Sequence, residues 1–159
     1  MSEVSGIDNL DLQIMASLMR DAQEPFTEIA KRLGISSGTV HVRMRKLRER
    51  GIVTGSRLEI DPTSLGYDIS AFVGVFLEKG SFYNEIAEVL YAIPEITEIH
   101  YTTGRYSMFL KIVCKNTREL RQVLNDKIQT LPSIQRTETF ISLEESMIRP
   151  IKILQEDQV

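Results

Sequence analysis

Phe26 to Gly51 reads FTEIAKRLGISSGTVHVRMRKLRERG, and this stretch decides how the front of the chain folds. Its first part predicts a short helix. Thr27 is placed to cap it, Ile29 and Leu33 share an inward face, and Gly34 suits a left-handed stop. After Ser36, a favourable N-cap, a second helix follows. There Val40, Met44 and Leu47 form one apolar stripe and Gly51 ends the run. The connecting turn RLGIS is short and contains glycine, and small Ala30 lets the two helices approach closely. This is the plan of a helix-turn-helix.

Toward the N-terminus, Ile7–Ala22 (IDNLDLQIMASLMRDA) predicts a preceding helix. Asp8 can cap it with Asp11 three residues on, and Ile7 and Leu12 are spaced as a hydrophobic staple. Leu12, Met15 and Met19 follow at helical spacing with Leu18 beside them, until Gln23-Glu24-Pro25 breaks the pattern. Downstream, Ile52–Ile60 (IVTGSRLEI) predicts a wing, two short strands turning near Gly55.

The formal net charge of -3 argues weakly against a nucleic-acid partner, but it conceals a division. Lys31, Arg32, Arg43, Arg45, Lys46, Arg48 and Arg50 face one anion, Glu49, within a single segment. Beyond Gly66 acids outnumber bases. A run of cations alone is more often a solvated helix face. Following two helices, a turn and a cap, it points instead to double-stranded DNA. Ser36, Ser37, Thr39 and His41 are short or polar enough to approach base edges, while Arg43, Arg45, Lys46 and Arg57 suit phosphates. A membrane-surface helix is a poor rival, because the apolar stripe is needed for the three-helix core.

The 159 residues suffice for two small domains. No apolar run approaches the length of a membrane span. The acidic, polar MSEVSGIDNLD is unlike a secretory signal, so a cytoplasmic location is expected. Cys114, the sole cysteine, excludes an intrachain disulfide and reads as a small buried hydrophobe.

Pro62–Asp68 (PTSLGYD) marks a boundary. The expected organisation is a DNA-binding domain over residues 1–61, a linker over 62–67 and a second domain over 68–159. The second domain reads strand (ISAFVGVFLE), helix (SFYNEIAEVLYAI), two strands (EITEIHYTT and YSMFLKIVCK), helix (NTRELRQVLNDKIQTL) and strand (IQRTETFISL). Ile86, Val89, Leu90 and Ile93 are expected inward on the first helix. Leu120, Val123, Leu124, Ile128 and Leu131 are expected inward on the second. IPEITEIHYTT and LPSIQRTETFI echo one another: Pro94 and Pro132 each stop a helix, and Ile96 and Ile134 each start a return strand. The order βαββαβ predicts an antiparallel sheet with both helices on one face. Phe72, Phe76, Phe109 and Phe140 fall on the other. So apolar a face predicts a second copy over it, a homodimer.

Tyr101–Cys114 (YTTGRYSMFLKIVC) contains a turn crowded with polar atoms at Thr102, Thr103, Arg105, Tyr106 and Ser107. From the residues alone it is either a plain hairpin or a hairpin that holds a ligand.

The chain resembles the Lrp/AsnC, or feast/famine, transcription regulators over nearly its whole length, Ile7 to Ile153. The likeness is carried by IDNLDLQIM, FTEIAKRLGISSGTVHVRMRKLRERGIVTG, LGYD, YTTGRYSMFLKIVC and IQRTETFISL. SGTVHVR and the YTTG-x-YS pattern look most like the asparagine-responsive branch. The resemblance implies an α+β chain: an N-terminal winged helix-turn-helix and a C-terminal βαββαβ domain of ferredoxin-like, RAM/ACT-like type. It implies dimers built into octamers or higher assemblies, and an amino-acid effector between dimers. The loop joining the second and third strands, Thr102 to Ser107, would then line the effector site.

Chemistry agrees with that implication. Gly104 allows close backbone approach, and turn N–H groups can take a carboxylate. Tyr101, Thr102, Thr103, Tyr106 and Ser107 offer donors and acceptors, Arg105 could pair with a carboxylate, and Thr137, Glu138 and Thr139 could add contacts. Many family members carry an acid at the place of Ser107, where it neutralises the effector's amine. The asparagine-responsive branch also has serine there, so the resemblance favours asparagine and leaves aspartate, glutamine or no ligand open.

The function expected is a sequence-specific DNA-binding transcription regulator modulated by a small amino acid, asparagine first, with no cofactor or metal and no catalytic set. One alternative is a tetrapyrrole-type decarboxylase on a related fold. It would need basic and histidine groups around a large pocket, and the chain has only His41 and His100. The other is a nucleoid-organising protein without a specific effector.

Overall fold

The computed structural model describes residues 6–153; the acidic end Gln155–Val159 lies outside them. The chain divides into two compact units. The first runs to Glu59 and takes in the segment from Ile148, and the second spans Ile60–Met147.

The front unit holds α1 (Asn9–Arg20), α2 (Phe26–Leu33) and α3 (Ser37–Glu49). Asp8 caps α1 in a full capping box: its carboxylate accepts the Asp11 N–H, and the Asp11 carboxylate accepts the Asp8 N–H. The fully buried side of α1 is Asp11, Ile14 and Ser17; of the expected apolar line, Met15 and Leu18 are partly buried against the core and Met19 is exposed. Two polar residues can be inside because arginines reach them from α2 and α3. Helix α2 starts at Phe26 behind Pro25, not behind Thr27, and no side chain caps it. Proline at that point has no N–H to satisfy and its φ of -61° is ready for helix entry. Gly34 is left-handed (φ 66°) and stops α2, and Ser36 caps α3 by accepting the Thr39 N–H. Ile14, Ile29, Ala30, Val40, Met44 and Leu47 form one core.

The expected wing strands over Ile52–Ile60 do not form: among the described residues no strand precedes Ile69. Leu58 is 80% exposed and Ile60 60%. Ile52 and Val53 pack against the front core, but the second half of the segment buries no apolar side chain, too little to hold a two-stranded ribbon together.

The second unit holds β1 (Ile69–Leu77), α4 (Tyr83–Tyr91), β2 (Ile96–Tyr101), β3 (Met108–Cys114), α5 (Thr117–Gln122) and β4 (Ile134–Ser142). The strands lie in the order β2-β3-β1-β4, every neighbour antiparallel. The echoed isoleucines do begin β2 and β4. The single helix expected over Asn116–Leu131 is divided. Its α-helical part ends at Gln122 and continues as a π-helical stretch, Val123–Ile128. Leu120 of the α-helical part and Val123 and Ile128 of the wider stretch reach the core, while Leu124 and Leu131 are only partly buried. Val89 of α4, expected inward, is exposed; Ile86, Leu90 and Ile93 are buried.

Strand alternation sorts the sheet into two faces. Ala71, Val73, Val75 and Leu77 of β1 and Met108, Leu110, Ile112 and Cys114 of β3 pack under the helices. Each of the valine, leucine, isoleucine and methionine side chains among them contributes roughly 1.5–3 kcal/mol on burial. The opposite face carries Phe72, Phe76, Phe109 and Phe140, with Phe72 and Phe109 stacked at 5.9 Å.

Candidate nucleic-acid interface and effector turn

Helix α3 turns through 100° per residue, so burial of Val40, Met44 and Leu47 fixes its outward line. That line runs through Gly38, Val42, Arg45 and Glu49. His41 and Arg48 flank it on one side, Thr39, Lys46 and Arg43 on the other. Val42 is 41% exposed, an aliphatic group at the centre of a polar surface. Sequence reasoning passed over Gly38 and Val42 because it selected polar residues. The phase of the Val40–Met44–Leu47 stripe already pointed to both.

The expected DNA-facing residues divide by what they already touch. Ser36 is spent as the cap, its Oγ also 2.9 Å from Thr39 Oγ1. Ser37 is half-buried in the first turn. The His41 ring meets Phe26 edge-on at 4.7 Å. Arg45 lies 3.9 Å from Glu49, both well exposed, a pairing that contributes little. Lys31, Lys46, Arg48 and Arg57 make no ion pair among the described residues.

Arg43 behaves differently. Its Nη1 donates to Asp8 Oδ2 at 2.7 Å and to Asp11 Oδ1 at 2.8 Å. The Asp11 N–H first, then Arg43, holds the Asp8 carboxyl below its usual range; hydrogen bonds to Asp11 and then Asp8 raise Arg43. Arg32 is occupied too, donating to both Glu24 oxygens and to Ser17 Oγ. Arg50 donates to the Gly6 carbonyl.

The turn between β2 and β3 has most of its polar groups closed on the chain. Thr102 N–H donates to the Ser107 carbonyl and Thr102 Oγ1 to the Tyr106 carbonyl. Ser107 N–H donates to Val75 O, and Ser107 Oγ accepts the Leu77 N–H at 3.3 Å. Gly104 sits at φ 103°, a conformation that favours glycine, with nothing within 4 Å of where a Cβ would lie. Thr103, Gly104 and Arg105 form the exposed tip.

Tyr106 folds back across the open face of the sheet. Its ring lies over Gly74, where a Cβ would come within 2.4 Å of it. Its hydroxyl donates to Glu138 Oε2 at 2.8 Å, which with burial raises the phenol pKa. Arg105 pairs with the other Glu138 oxygen at 2.8 Å, and the Arg136 guanidinium lies 3.9 Å from the Phe76 ring centre. Of the three β4 candidates, therefore, Glu138 alone meets the turn. Thr137 and Thr139 alternate to the helix side, where Thr137 Oγ1 accepts from Gln129. Tyr101 also lies on that side, its ring 4.3 Å from Tyr83. Cys114 is buried, its thiol pushed up to about 11 by burial.

No helix among the described residues is long and apolar enough to cross a membrane.

Comparison with known proteins places both halves. Residues 7–48 match the AsnC-type helix-turn-helix domain and residues 70–151 the Lrp/AsnC ligand binding domain. The chain is 44% identical over 146 residues to Regulatory protein AsnC of Escherichia coli (strain K12), covering 92% of this chain and 96% of the relative. It is 40% identical over 149 residues to HTH-type transcriptional regulator FL11 of Pyrococcus horikoshii, covering 92% and 97%. The solved structure of E. coli AsnC superposes with a TM-score of 0.86 at 43% identity, covering 91% of this chain and 97% of that one.

Proposed function

The chain belongs to the Lrp/AsnC family of transcription regulators, which are not enzymes, and on that premise we propose how it works. It binds double-stranded DNA by laying the outward line of α3 in the major groove. Ser37, Thr39, His41 and Val42 approach base edges, and Arg45, Lys46 and Arg57 contact phosphates. Val42 suits a thymine methyl. Two chains pair through the open sheet face, presenting two α3 helices to successive grooves. Its effector is a small amino acid, asparagine first. The exposed tip Thr103–Arg105 takes the carboxylate, and Thr102, Tyr106, Ser107 and Glu138 form the surround. Effector binding shifts the assembly, and with it the number of helices that engage DNA together.

The observation that carries this reading is the exposed strip of α3 set on a buried Val40–Met44–Leu47 stripe. Its test is fluorescence anisotropy with a duplex the protein selects from a random pool and an unrelated duplex of equal length, across salt, with and without asparagine. The expected result is preference for the selected duplex, altered by asparagine. Equal affinity for both duplexes would favour the nucleoid-organising alternative.

A further inference from the structure

We propose that Arg43 does not touch DNA but is the positioning residue of the recognition helix, fixing α3 to the capping box of α1, so that Asp8 and Asp11 belong to the DNA-binding machinery. This rests on the DNA-binding reading above and assigns its geometry.

The oxygen inventory leads there. Asp8 Oδ1 accepts the Asp11 N–H, and Asp11 Oδ2 accepts the Asp8 N–H. The remaining oxygens, Asp8 Oδ2 and Asp11 Oδ1, both accept from Arg43 Nη1. One nitrogen closes a set in which every carboxylate oxygen has a partner. The contact joins residues far apart in sequence, so it fixes how α3 lies on α1 rather than adding to either helix. The side chain of Asp11 is 10% exposed and that of Arg43 27%. Sending Arg43 to a phosphate would leave two carboxylates side by side without a counter-charge, one of them largely buried, next to a polyanion.

The other flank of α3 is held as well, by the His41 ring on Phe26. Residues 41 and 43 lie on opposite sides of Val42 around the helix. The outward line is thus held between two side chains, one reaching α2 and one reaching α1. Lys46, one turn further on, makes no ion pair among the described residues and is the phosphate contact on the Arg43 side.

The test uses the full chain with the two duplexes named above. R43A, R43K, D11N and K46A are titrated across salt, well below each variant's unfolding temperature. Asn replaces Asp11 with nearly the same shape and no charge. K46A is expected to weaken both duplexes and to flatten the log–log salt slope by about 0.9, the signature of one lost phosphate contact. R43A and D11N are expected to weaken the selected duplex about tenfold, the size of one good base contact, with little change on the unrelated duplex and none in slope. R43K keeps the charge on a shorter arm that brings its nitrogen short of the two carboxylates, and is expected to fall with R43A. Three results overturn the proposal. One is a flatter slope in R43A with tighter binding to both duplexes in D11N, since removing an acid beside a phosphate-binding arginine helps binding. Another is R43K binding as wild type. The third is lowered thermal stability in R43A and D11N with unchanged affinities. If R43A does not fold, D11N and R43K decide. A wild-type chain that binds neither duplex overturns the DNA reading itself, a result none of the three resembles.

Discussion

The outward line of α3 and the turn Thr102–Ser107 drew attention in the sequence for the same reason, a cluster of polar side chains, and they differ in how much of that polarity survives folding. On α3, Val42, Arg45 and Lys46 remain exposed, while Ser36, Arg43 and Arg32 of α2 are committed to the fold. In the turn, the Thr102, Tyr106 and Ser107 hydroxyls all have partners inside the chain, Arg105 is paired with Glu138 at the surface, and Thr103 and Gly104 are left open at the tip. A polar residue is available to a ligand only when the fold has not already used it.

The sharpest way to break this contrast is to damage one unit and watch the other. Leu110→Ala, at a fully buried site of the sheet core, is expected to destabilise the second unit by about 2–5 kcal/mol. The front helices should keep their amide-exchange protection. Simultaneous loss of protection in both units would show them to be one cooperative body.

Next in size is Gly74→Ala. The added Cβ meets the Tyr106 ring, so either the ring leaves the open face or the strand shifts, at a cost of about 1–3 kcal/mol. The asparagine isotherm is expected to change while the salt slope of DNA binding is unaltered. An unchanged isotherm would detach Tyr106 from the effector response.

A smaller effect is expected from Val42→Ala: roughly 1 kcal/mol lost on the selected duplex, with no change in salt slope. Equal loss on an unrelated duplex would remove Val42 from base reading. Smallest is the acid response. Asp8 is held below its unfolded value by the Asp11 N–H and Arg43, so its contribution is present above the unfolded value of 3.8 and disappears as pH falls through the lower folded value. More than half of this side chain is exposed, so less than about 1 kcal/mol is at stake. Melting scans at pH 6 and pH 3 should show Asp8→Asn losing less stability than wild type over that interval; equal losses would assign the acid response to other groups.

How much was legible in the sequence follows the same division. The two α3 signals, the Ser36 cap and the Val40–Met44–Leu47 stripe, are local and were readable. So were Asp8 as a cap, Gly34 as a stop and the paired Pro–Ile echoes that begin β2 and β4. What escaped depends on partners distant in sequence. Asp11 and Ser17 are buried because Arg43 and Arg32 reach them, and no helical period announces that. Tyr106 over Gly74 and its bond to Glu138 need the register of three strands at once. The wing failed for the converse reason: Leu58 and Ile60 have strand-like spacing, but nothing among the described residues buries them.

The strand order has a temporal consequence. β1, the central strand, pairs on one side with β3 and on the other with β4, the last strand of the chain. During synthesis, β1 therefore waits with an unpaired edge until Ser142 has left the ribosome. The front helices close their core with contacts confined to the first third of the chain and can form long before that. The nascent regulator passes through a stage in which α3 is finished while its sheet still has a strand edge open to any neighbour, and chain elongation sets how long that stage lasts.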